Sequence, residues 1–411
     1  MLAILTTHPI QYQVPLWQAL ARNGRVPFEV WYTSDHGAKP ARDTGFGRTF
    51  SWDIDVLADY PYRFLQGAEG APLSPFWKCR LQERLRDRLW ASGATALWMQ
   101  GWQVPAYWQA LREARTAGVE VWLRAESNAL APQPHWKKLP KNIQLRWLFT
   151  QVDRFFYIGS ANCRLYEQFG VPQTSLYPAP YAVDNERFAT QAALLRPRRT
   201  ELRAEWNIAQ DAFCVLFCGK FINKKRPTDL VAAARMLTQN GLLPNLHLLF
   251  AGTGVLGNEL RKSCSLAYDS ERPAESGPAE RFPNSPSSGT VASFVGFLNQ
   301  TQISRAYVAA DCLVLPSDHG ETWGLVVNEA TASGLPCLVS NACGCAEDLA
   351  GNEGSFELAD VNMLASKLLA CSRSGTVKQR PLPSISETVS SIVQAYQDSQ
   401  QSPWANLSSI A

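Results

Sequence analysis

Residues 311–336, DCLVLPSDHGETWGLVVNEATASGLP, are the stretch from which the fold of the chain is inferred. An apolar run predicts a short strand, a polar turn follows, and the apolar spacing from Leu325 onward predicts a helix. Gly334 and then Pro336 follow the last helical position, which is a common helix end. This order places a helix N-terminus at the carboxyl end of a parallel strand. The unpaired backbone N–H groups near Gly324 and Leu325 therefore predict an anion site.

Two carboxylates bracket this predicted anion site. Glu321 lies in the turn, and Glu329 lies on the same side of the helix if the helix begins near Trp323. A carboxylate accepts hydrogen bonds from the vicinal hydroxyls of a ribose or a hexose. A phosphate flanked by two such carboxylates would be part of a sugar nucleotide. The alternative is that Glu321 only complements the helix dipole and that Glu329 is a solvated helix residue.

The spacing of Glu321 and Glu329, with Gly324 and Gly334 in place, resembles the retaining glycosyltransferases of the GT-B fold, family four type (glycosyl transferases group 1). The resemblance implies an α/β chain with two doubly wound, Rossmann-like domains that face each other across a cleft. It also implies a nucleotide-sugar donor, with Glu329 on the ribose and Glu321 near the sugar hydroxyls. Gly324 and Leu325 would bind the donor at the helix N-terminus.

A second group of charges follows the predicted strand that ends at Cys218. Four cationic residues lie within residues 220–226 and require an anion, which the donor diphosphate would supply. A cation beside the departing phosphate stabilises the charge that develops there. The family has Gly-Arg here, with a Lys five residues after the Arg. Gly219, Lys220 and Lys225 are similar in spacing, with Lys220 in place of the Arg. Lys220 lacks the bidentate fork of an Arg. The resemblance implies catalytic roles for both lysines; the alternative is a solvated basic turn.

Two further turns are similar to donor-binding turns of the family. Gly252 and Gly254 follow an apolar run, where the family has a Gly-x-Gly turn close to the nucleotide. Phe297 follows the next predicted strand, where the family's backbone meets the base. Residues 265–293, between these turns, are rich in Ser, Pro, Glu and Gly and predict a surface insertion.

The first half alternates strands with helices, which predicts a parallel sheet covered on both faces. Ligands bind beyond the carboxyl ends of such strands. Gln11, Trp102 and Glu126 lie at predicted strand ends and are the candidate acceptor-binding residues. His8 is a candidate catalytic residue, because imidazole exchanges a proton near neutral pH. The alternatives are a structural cap for His8 and a pairing with Arg124 for Glu126.

Length and composition fit two globular domains, since the chain has 411 residues, 46% of them hydrophobic and 18% charged. A Pro-rich extended segment near residue 180 predicts the crossing between them. We expect residues 1–190 to form the acceptor domain and residues 191–375 the donor domain. By resemblance, residues 376–411 cross back to the first domain.

The remaining composition bears on location and partners. A net charge of +3 gives no case for nucleic acid, and the ten cysteines have no paired zinc spacing, which favours free thiols in a reducing cytoplasm. No apolar run is long enough to span a bilayer, and Met1 leads directly into an apolar strand. We therefore expect a cytoplasmic protein. Aromatic residues next to basic ones, at 136–138 and 146–149, leave two alternatives, packing in the first domain or peripheral contact with the inner face of a membrane.

By resemblance, the protein is an enzyme that transfers a sugar, with retained configuration, from a UDP- or GDP-sugar to a hydroxyl acceptor. The acceptor would be a carbohydrate, a lipid-linked sugar or a small molecule in cell-surface polysaccharide or glycolipid synthesis. No cofactor and no metal are expected, because lysines and the helix end carry the diphosphate charge. Two alternatives remain, a nucleotide-sugar epimerase and an inactive nucleotide-sugar-binding protein. A nicotinamide dehydrogenase is disfavoured, because no Gly-x-Gly-x-x-Gly follows the first strand.

Overall fold

The computed structural model describes residues 1–39, 41–43, 48–50, 52–132, 135–271 and 289–401. The chain forms two compact units. Within the described residues, the first unit contains Met1–Ala41, Phe50–Ala182 and the residues from Pro383 onward. The second unit contains Val183–Leu382 and the described residues of the range Arg42–Thr49.

The first unit is built on a parallel sheet of seven strands in the order β5-β2-β1-β6-β7-β8-β9. The strands β3 and β4 pair with each other outside this sheet. The bounds are β1 (Leu2–Thr6), β2 (Phe28–Tyr32), β3 (Ala41–Asp43), β4 (Arg48–Phe50), β5 (Tyr62–Phe64), β6 (Ala96–Met99), β7 (Glu120–Arg124), β8 (Arg154–Tyr157) and β9 (Leu176–Pro178).

Helices cover both faces of this sheet, because its strands are apolar on both sides. They include α1 (Val14–Asn23), α2 (Leu85–Ala91), α3 (Pro105–Thr116), α4 (His135–Thr150) and α5 (Ser160–Gln168). Ala3 and Leu5 of β1 lie in the core cluster that contains α2, α3 and α4. Leu2 and Ile4 alternate with them and lie in the cluster that contains α1.

The second unit has its own parallel seven-stranded sheet, in the order β12-β13-β11-β10-β14-β15-β16. The bounds are β10 (Phe213–Cys218), β11 (Leu246–Ala251), β12 (Ser265–Asp269), β13 (Val291–Gly296), β14 (Cys312–Leu315), β15 (Cys337–Ser340) and β16 (Ser355–Phe356). The helices are α6 (Asn185–Leu195), α7 (Arg199–Glu205), α8 (Pro227–Gln239), α9 (Gly257–Lys262), α10 (Ser304–Ala309), α11 (Leu325–Ala332), α12 (Gly351–Gly354) and α13 (Val361–Ser374).

Two features of the second unit differ from the sequence-based expectation. Residues 265–269, assigned to a surface insertion, form the edge strand β12, because Leu266 packs into the core and Asp269 accepts hydrogen bonds from Arg261. The predicted insertion thus begins after this strand, and residues 272–288 lie outside the described part of the chain. The unit begins at Val183 rather than at residue 191, because α6 packs against α10 and α11.

The last helix among the described residues, α14 (Ile385–Gln400), belongs to the first unit. It starts with a capping box formed by Ser384 and Glu387. The buried side chain of Ile392, on α14, lies in the same core cluster as Trp17 of α1. The Thr388 hydroxyl also donates a hydrogen bond to the Pro180 carbonyl over 3.2 Å. The first unit is therefore assembled from both ends of the chain.

Candidate active site

The candidate donor site lies at the carboxyl edge of the second sheet, where parallel strands bring their following turns together. The turn after β10 contains Gly219, Lys220 and Lys225, and the turn after β14 contains Glu321. The other sequence-predicted donor residues also follow strands at this edge or lie on α11, and they are Gly252, Gly254, Phe297, Gly324, Leu325 and Glu329. Every donor candidate thus lies on a turn of this edge or on the helix that follows β14.

The turns after β10 and β11 lie in direct contact. The Gly219 N–H donates to the Ala251 carbonyl over 2.9 Å, and the Phe221 N–H donates to the Thr253 carbonyl over 2.9 Å. A Cβ atom on Gly252 would lie 2.0 Å from the Gly219 carbonyl oxygen, and the φ of Gly252 is 138°. Only glycine fits at this position. The glycine turn therefore fixes the basic turn that carries Lys220 and Lys225.

Lys225 and Glu321 form an ion pair between the turns after β10 and β14, and both side chains are largely buried. The backbones of the same turns are joined as well, because the Asp318 N–H donates to the Lys224 carbonyl over 2.8 Å. The structure therefore brings together a cation and a carboxylate that the sequence placed in the site separately. Lys220 is half-buried in the same basic turn.

The N-terminus of α11 faces this ion pair from the end of the Glu321 turn. Gly324 is the residue that precedes the helix, and Leu325 is its first residue. Among the described residues, the buried atoms Ser317 Oγ and His319 Nδ1 have no hydrogen-bond partner. Such atoms are rare in folded proteins, and a polar ligand or water would satisfy them. No pattern in the sequence distinguishes Ser317 or His319 as a site residue.

Glu329 is only 4% exposed, so it is not the solvated helix residue of the structural alternative. Its carboxylate accepts a hydrogen bond from the Tyr307 hydroxyl at 2.5 Å and one from Gln300 Nε2 at 3.5 Å. Burial raises the pKa of the Glu329 carboxyl, against the effect of these hydrogen bonds. A carboxylate has roughly four acceptor positions. Because the protein donates only two hydrogen bonds to Glu329 in these contacts, its carboxylate can accept further hydrogen bonds from the two hydroxyls of a diol.

Gln300 and Tyr307 are functional candidates that the sequence analysis missed. Arg187 Nη2 donates to Gln300 Oε1 over 2.6 Å, so an arginine supports the side chain that holds Glu329. Gln300 follows β13 and lies at the sheet edge where ligands bind. Its position after a predicted strand could therefore have identified it as a candidate site residue from the sequence. Tyr307 lies inside α10, and no pattern in its own segment distinguishes it.

The turn after β15 holds the backbone on which Glu321 lies. The Gly344 N–H donates to the Glu321 carbonyl over 3.1 Å, and the Cys345 N–H donates to the Trp323 carbonyl over 3.2 Å. A Cβ atom on Gly344 would lie 1.8 Å from the Thr322 carbonyl oxygen. No larger residue fits without moving one of the two turns.

The thiols of the same turn add to this contact. Cys343 Sγ lies 3.6 Å from the Ser317 carbonyl oxygen, and Cys345 Sγ lies 4.0 Å from that of Gly324. Burial raises the pKa of both thiols well above the usual value, so they are protonated donors at neutral pH. These cysteines are free, and they link the β15 turn to the turn that ends at α11.

In the first unit, His8 and Gln11 follow β1. His8 Nδ1 lies 2.9 Å from the Thr7 hydroxyl. Burial, with a smaller contribution from His36, lowers the pKa of His8 to about 4. His8 is thus neutral at pH 7 rather than close to its titration midpoint, contrary to the reason for which the sequence analysis selected it. Gln11 is buried, and its Oε1 atom has no hydrogen-bond partner among the described residues.

Trp102 and Glu126 lie beyond two other strands of the first unit. The Trp102 ring packs edge-on against Phe149 with a centroid distance of 5.6 Å. The Glu126 carboxylate accepts a hydrogen bond from the Tyr181 hydroxyl. Arg124 stacks on the Tyr181 ring at 4.4 Å. Trp102 and Glu126 are therefore both held by the fold of the first unit, at the end of the sheet where an acceptor is expected.

No group of three or more His, Cys, Asp or Glu side chains in the part of the chain that the structure describes is arranged to hold a metal ion. No helix among the described residues has the length and hydropathy of a membrane span.

Known proteins are similar to this chain in sequence and in fold. Residues 212–374 match the family described as Glycosyl transferases group 1. The D-inositol 3-phosphate glycosyltransferase of Nocardia farcinica is 29% identical over 264 residues, which cover 63% of this chain and 51% of that protein. The sulfoquinovosyl transferase SQD2 of Arabidopsis thaliana is 41% identical over 85 residues, 20% of this chain and 16% of that protein.

The chain spans about half the length of the first of these curated relatives and less of the second. Among solved structures, Anabaena Alr3699/HepE in complex with UDP and glucose has a TM-score of 0.58 at 14% identity, and the match covers 97% of this chain and 94% of that one. This likeness extends over both units and concerns the fold. The chain therefore adopts the two-domain GT-B fold, and its residues 212–374 are similar to the group 1 glycosyltransferases.

Proposed function

We propose that the protein is a retaining glycosyltransferase that moves a sugar from a nucleotide-sugar donor to a hydroxyl acceptor. The observation that carries the proposal is the convergence of the Lys225–Glu321 ion pair, the N-terminus of α11 and the buried Glu329 at one sheet edge. Cations and helix N–H groups suit a diphosphate. Carboxylates beside them suit sugar hydroxyls.

Lys220 and Lys225 act on the leaving diphosphate in this proposal. Negative charge grows on the phosphate oxygen as its bond to the anomeric carbon breaks, and a positioned cation stabilises that charge. Lys225 already lies in place, because Glu321 holds its ammonium group. Glu321 in turn accepts hydrogen bonds from the hydroxyls of the donor sugar.

Glu329 binds the two hydroxyls of the ribose. Tyr307 and Gln300 hold its carboxylate from the protein side and fix the direction in which its remaining acceptor positions point. The unpaired Ser317 Oγ and His319 Nδ1 supply further polar contacts to the donor. The turn at Gly252 and Gly254 and the backbone near Phe297 contact the nucleoside.

Transfer with retention requires the acceptor oxygen to attack the face of the sugar from which the diphosphate departs. The acceptor O–H proton then passes to a phosphate oxygen of the leaving group, so no carboxylate pair is needed. His8 is the second candidate for this proton, since a neutral imidazole can act as a general base. The lysines and the helix end supply the counter-charge in place of a metal.

The first unit binds the acceptor through Gln11, Trp102 and Glu126. The buried Gln11 Oε1, which has no partner among the described residues, supports a hydroxyl-bearing acceptor, because a hydroxyl would satisfy it. A carbohydrate or lipid-linked sugar of cell-surface polysaccharide or glycolipid synthesis fits this role. The Anabaena structure is named as a complex with UDP and glucose, which favours a UDP-sugar donor over a GDP-sugar.

The test is turnover of a panel of UDP- and GDP-sugars with and without hydroxyl acceptors. Release of the nucleoside diphosphate together with a glycoside of the donor's anomeric configuration, followed by NMR, is the expected result. An interconverted nucleotide sugar would identify an epimerase instead. Donor binding without any turnover would identify an inactive binding protein, and either result would overturn the proposal.

A further inference from the structure

The first unit exposes large apolar side chains on two short segments. Phe76 and Trp77, in a 3-10 turn at Phe76–Lys78, are each more than half exposed. Leu139, Ile143 and Trp147 of α4 are also more than half exposed. Their spacing of four residues places these three on one side of the helix. The opposite side of α4 is already buried in the core. Thus α4 has an apolar side that the described residues of the first unit leave exposed.

These two segments lie against the same part of α3. The Ala106 N–H at the start of α3 donates to the Cys79 carbonyl, directly after the 3-10 turn, over 3.0 Å. Trp147 stacks on Trp108, two residues further along α3, with a centroid distance of 6.0 Å. The exposed side chains of both segments therefore form one region, here called the aromatic surface. It consists of Phe76, Trp77, Leu139, Ile143 and Trp147.

The charged residues within the two segments that form the aromatic surface have one sign. Lys78 and Arg80 are exposed at or next to the 3-10 turn, and Lys141 and Arg146 are exposed on α4. Neither residues 70–82 nor residues 135–150 contain an Asp or a Glu, and the nearest acidic residues in the sequence, Glu69 and Glu83, lie just outside the first segment. Exposed aromatic and aliphatic side chains next to basic ones on the same segments are the composition of a surface that binds anionic lipid.

We infer that the aromatic surface binds the face of a bilayer that contains anionic phospholipids. Tryptophan and phenylalanine rings lie at the level of lipid headgroups, and leucine and isoleucine enter the acyl boundary. Lysine and arginine attract the anionic headgroups. A nucleic acid would use the cations but would gain nothing from Leu139 and Ile143. The inference goes beyond sugar transfer, and it is tested without donor or acceptor, so its outcome is independent of the proposed function.

The experiment is flotation of the full chain with vesicles of phosphatidylcholine alone or with one-third phosphatidylglycerol. We expect binding to the anionic vesicles only. Raising the salt from about 0.1 M to about 1 M should release the chain, because the Debye length falls from about 10 Å to about 3 Å. A blue shift of tryptophan emission should accompany binding, since exposed indoles move out of water.

Two double variants separate the apolar from the electrostatic contribution. Trp77→Ser with Ile143→Ser should abolish the emission shift and most of the binding. Lys141→Gln with Arg146→Gln should weaken binding by about 25-fold, since each basic side chain near an anionic surface contributes about fivefold. Trp90→Ser is the matched control, because Trp90 is exposed but contacts Ala117, beyond the other end of α3. It should bind as the unchanged chain does.

Three results would overturn the inference. One is equal flotation with neutral and anionic vesicles, and another is unchanged binding of the Trp77→Ser, Ile143→Ser variant. The third is a concentration-dependent dimer in sedimentation that this variant abolishes, which would make a second copy the occupant of the surface. All substituted side chains are exposed, so circular dichroism of each variant should match that of the unchanged chain.

Discussion

The ammonium group of Lys225 contacts the carboxylate of Glu321 across two turns that are far apart in the sequence. Both groups are more than four-fifths buried, so water screens their interaction only partly. The pair holds a cation and an acceptor at fixed positions before any ligand arrives. Such preorganisation costs no rearrangement during the reaction.

Replacing Lys225 with Ala should reduce turnover more than donor binding. Loss of one positioned charge donor lowers turnover by about 10²–10³-fold in comparable sites. The neighbouring Lys224 is exposed, so Lys224→Ala is the matched control and should stay close to the unchanged protein. Steady-state kinetics for both variants provide the measurement. A Lys225→Ala protein with normal turnover would remove this residue from the mechanism.

Replacing Tyr307 with Phe should weaken donor binding. The variant keeps the buried ring but removes the 2.5 Å hydrogen bond to Glu329. A hydrogen bond to a charged group contributes about 1.5–3 kcal/mol, so we expect the dissociation constant for the donor to rise by about 10- to 150-fold. Calorimetric titration with a nucleotide sugar or the free diphosphate measures it. Tyr268→Phe, on the edge strand β12, is the control, and equal losses in both variants would contradict the role.

Replacing Gly344 with Ala should lower turnover through displacement of Glu321. The new Cβ would lie 1.8 Å from the Thr322 carbonyl oxygen, so one of the two turns must move. A displacement of about 1 Å near a reacting group costs about 10²-fold in rate. Kinetics and a thermal melt should be measured together. A variant that melts lower but turns over normally would show that the turn contributes to stability alone.

Stability of the first unit should fall as the pH drops from about 6.5 towards about 4. The pKa of His8 is lowered from 6.5 to about 4 in the folded state. Unfolded chains therefore bind a proton in this range that the folded chain does not, which favours unfolding as the pH falls. The full difference is about 3 kcal/mol. Urea titrations at several pH values measure it.

His8→Asn should flatten this dependence, since an amide does not titrate. His247 in the second unit also has a pKa lowered to about 4, so part of the dependence of the whole chain will remain. A His8→Asn protein whose stability falls as steeply as that of the unchanged chain would show that His8 is accessible to protons in the folded state.

Replacing Asp311 with Ala should strongly destabilise the second unit. Its carboxylate accepts hydrogen bonds from Arg199 and from Arg203, each over 2.6 Å, and Arg203 is almost fully buried. Removing one partner of a buried pair costs about 3–5 kcal/mol, because the other charge stays unpaired. Denaturant unfolding measures the loss.

Breaking the exposed pair Arg198–Glu201 with Arg198→Ala is the control for Asp311→Ala. An exposed ion pair contributes about 0–1 kcal/mol. Similar losses in the two variants would mean that the Arg203 guanidinium finds other partners when Asp311 is absent.

Much of the second unit could be predicted from its sequence. The run at β10 is apolar on both faces and is followed by a helix, so it predicts a parallel strand with a turn at the ligand edge. Glu321, Gly324 and Lys225 lie within nine residues after such strands, and local spacing together with the family resemblance selected them. The edge strand β12 was missed because the Ser- and Pro-rich residues that follow it dominated the composition of its window.

The partners of the selected residues were not predictable in the same way. Gln300 and Tyr307 reach Glu329 from other segments of the chain, and Gly344 reaches Glu321 from the turn after β15. These contacts depend on the order of strands in the sheet rather than on local pattern. The burial of His8 also depends on tertiary packing. From the sequence alone, His8 was therefore assigned the pKa of an exposed imidazole.

Because α14 packs beside α1 but follows the second unit in the sequence, the described parts of the two units are not completed in the order in which they begin. During synthesis, every described element of the second unit is made before α14. The first unit, although begun first, has Trp17 and Leu20 uncovered until Ile392 and its neighbours are made. A ribosome that stalls between residues 382 and 385 would therefore leave the described elements of the second unit joined to a first unit that lacks α14.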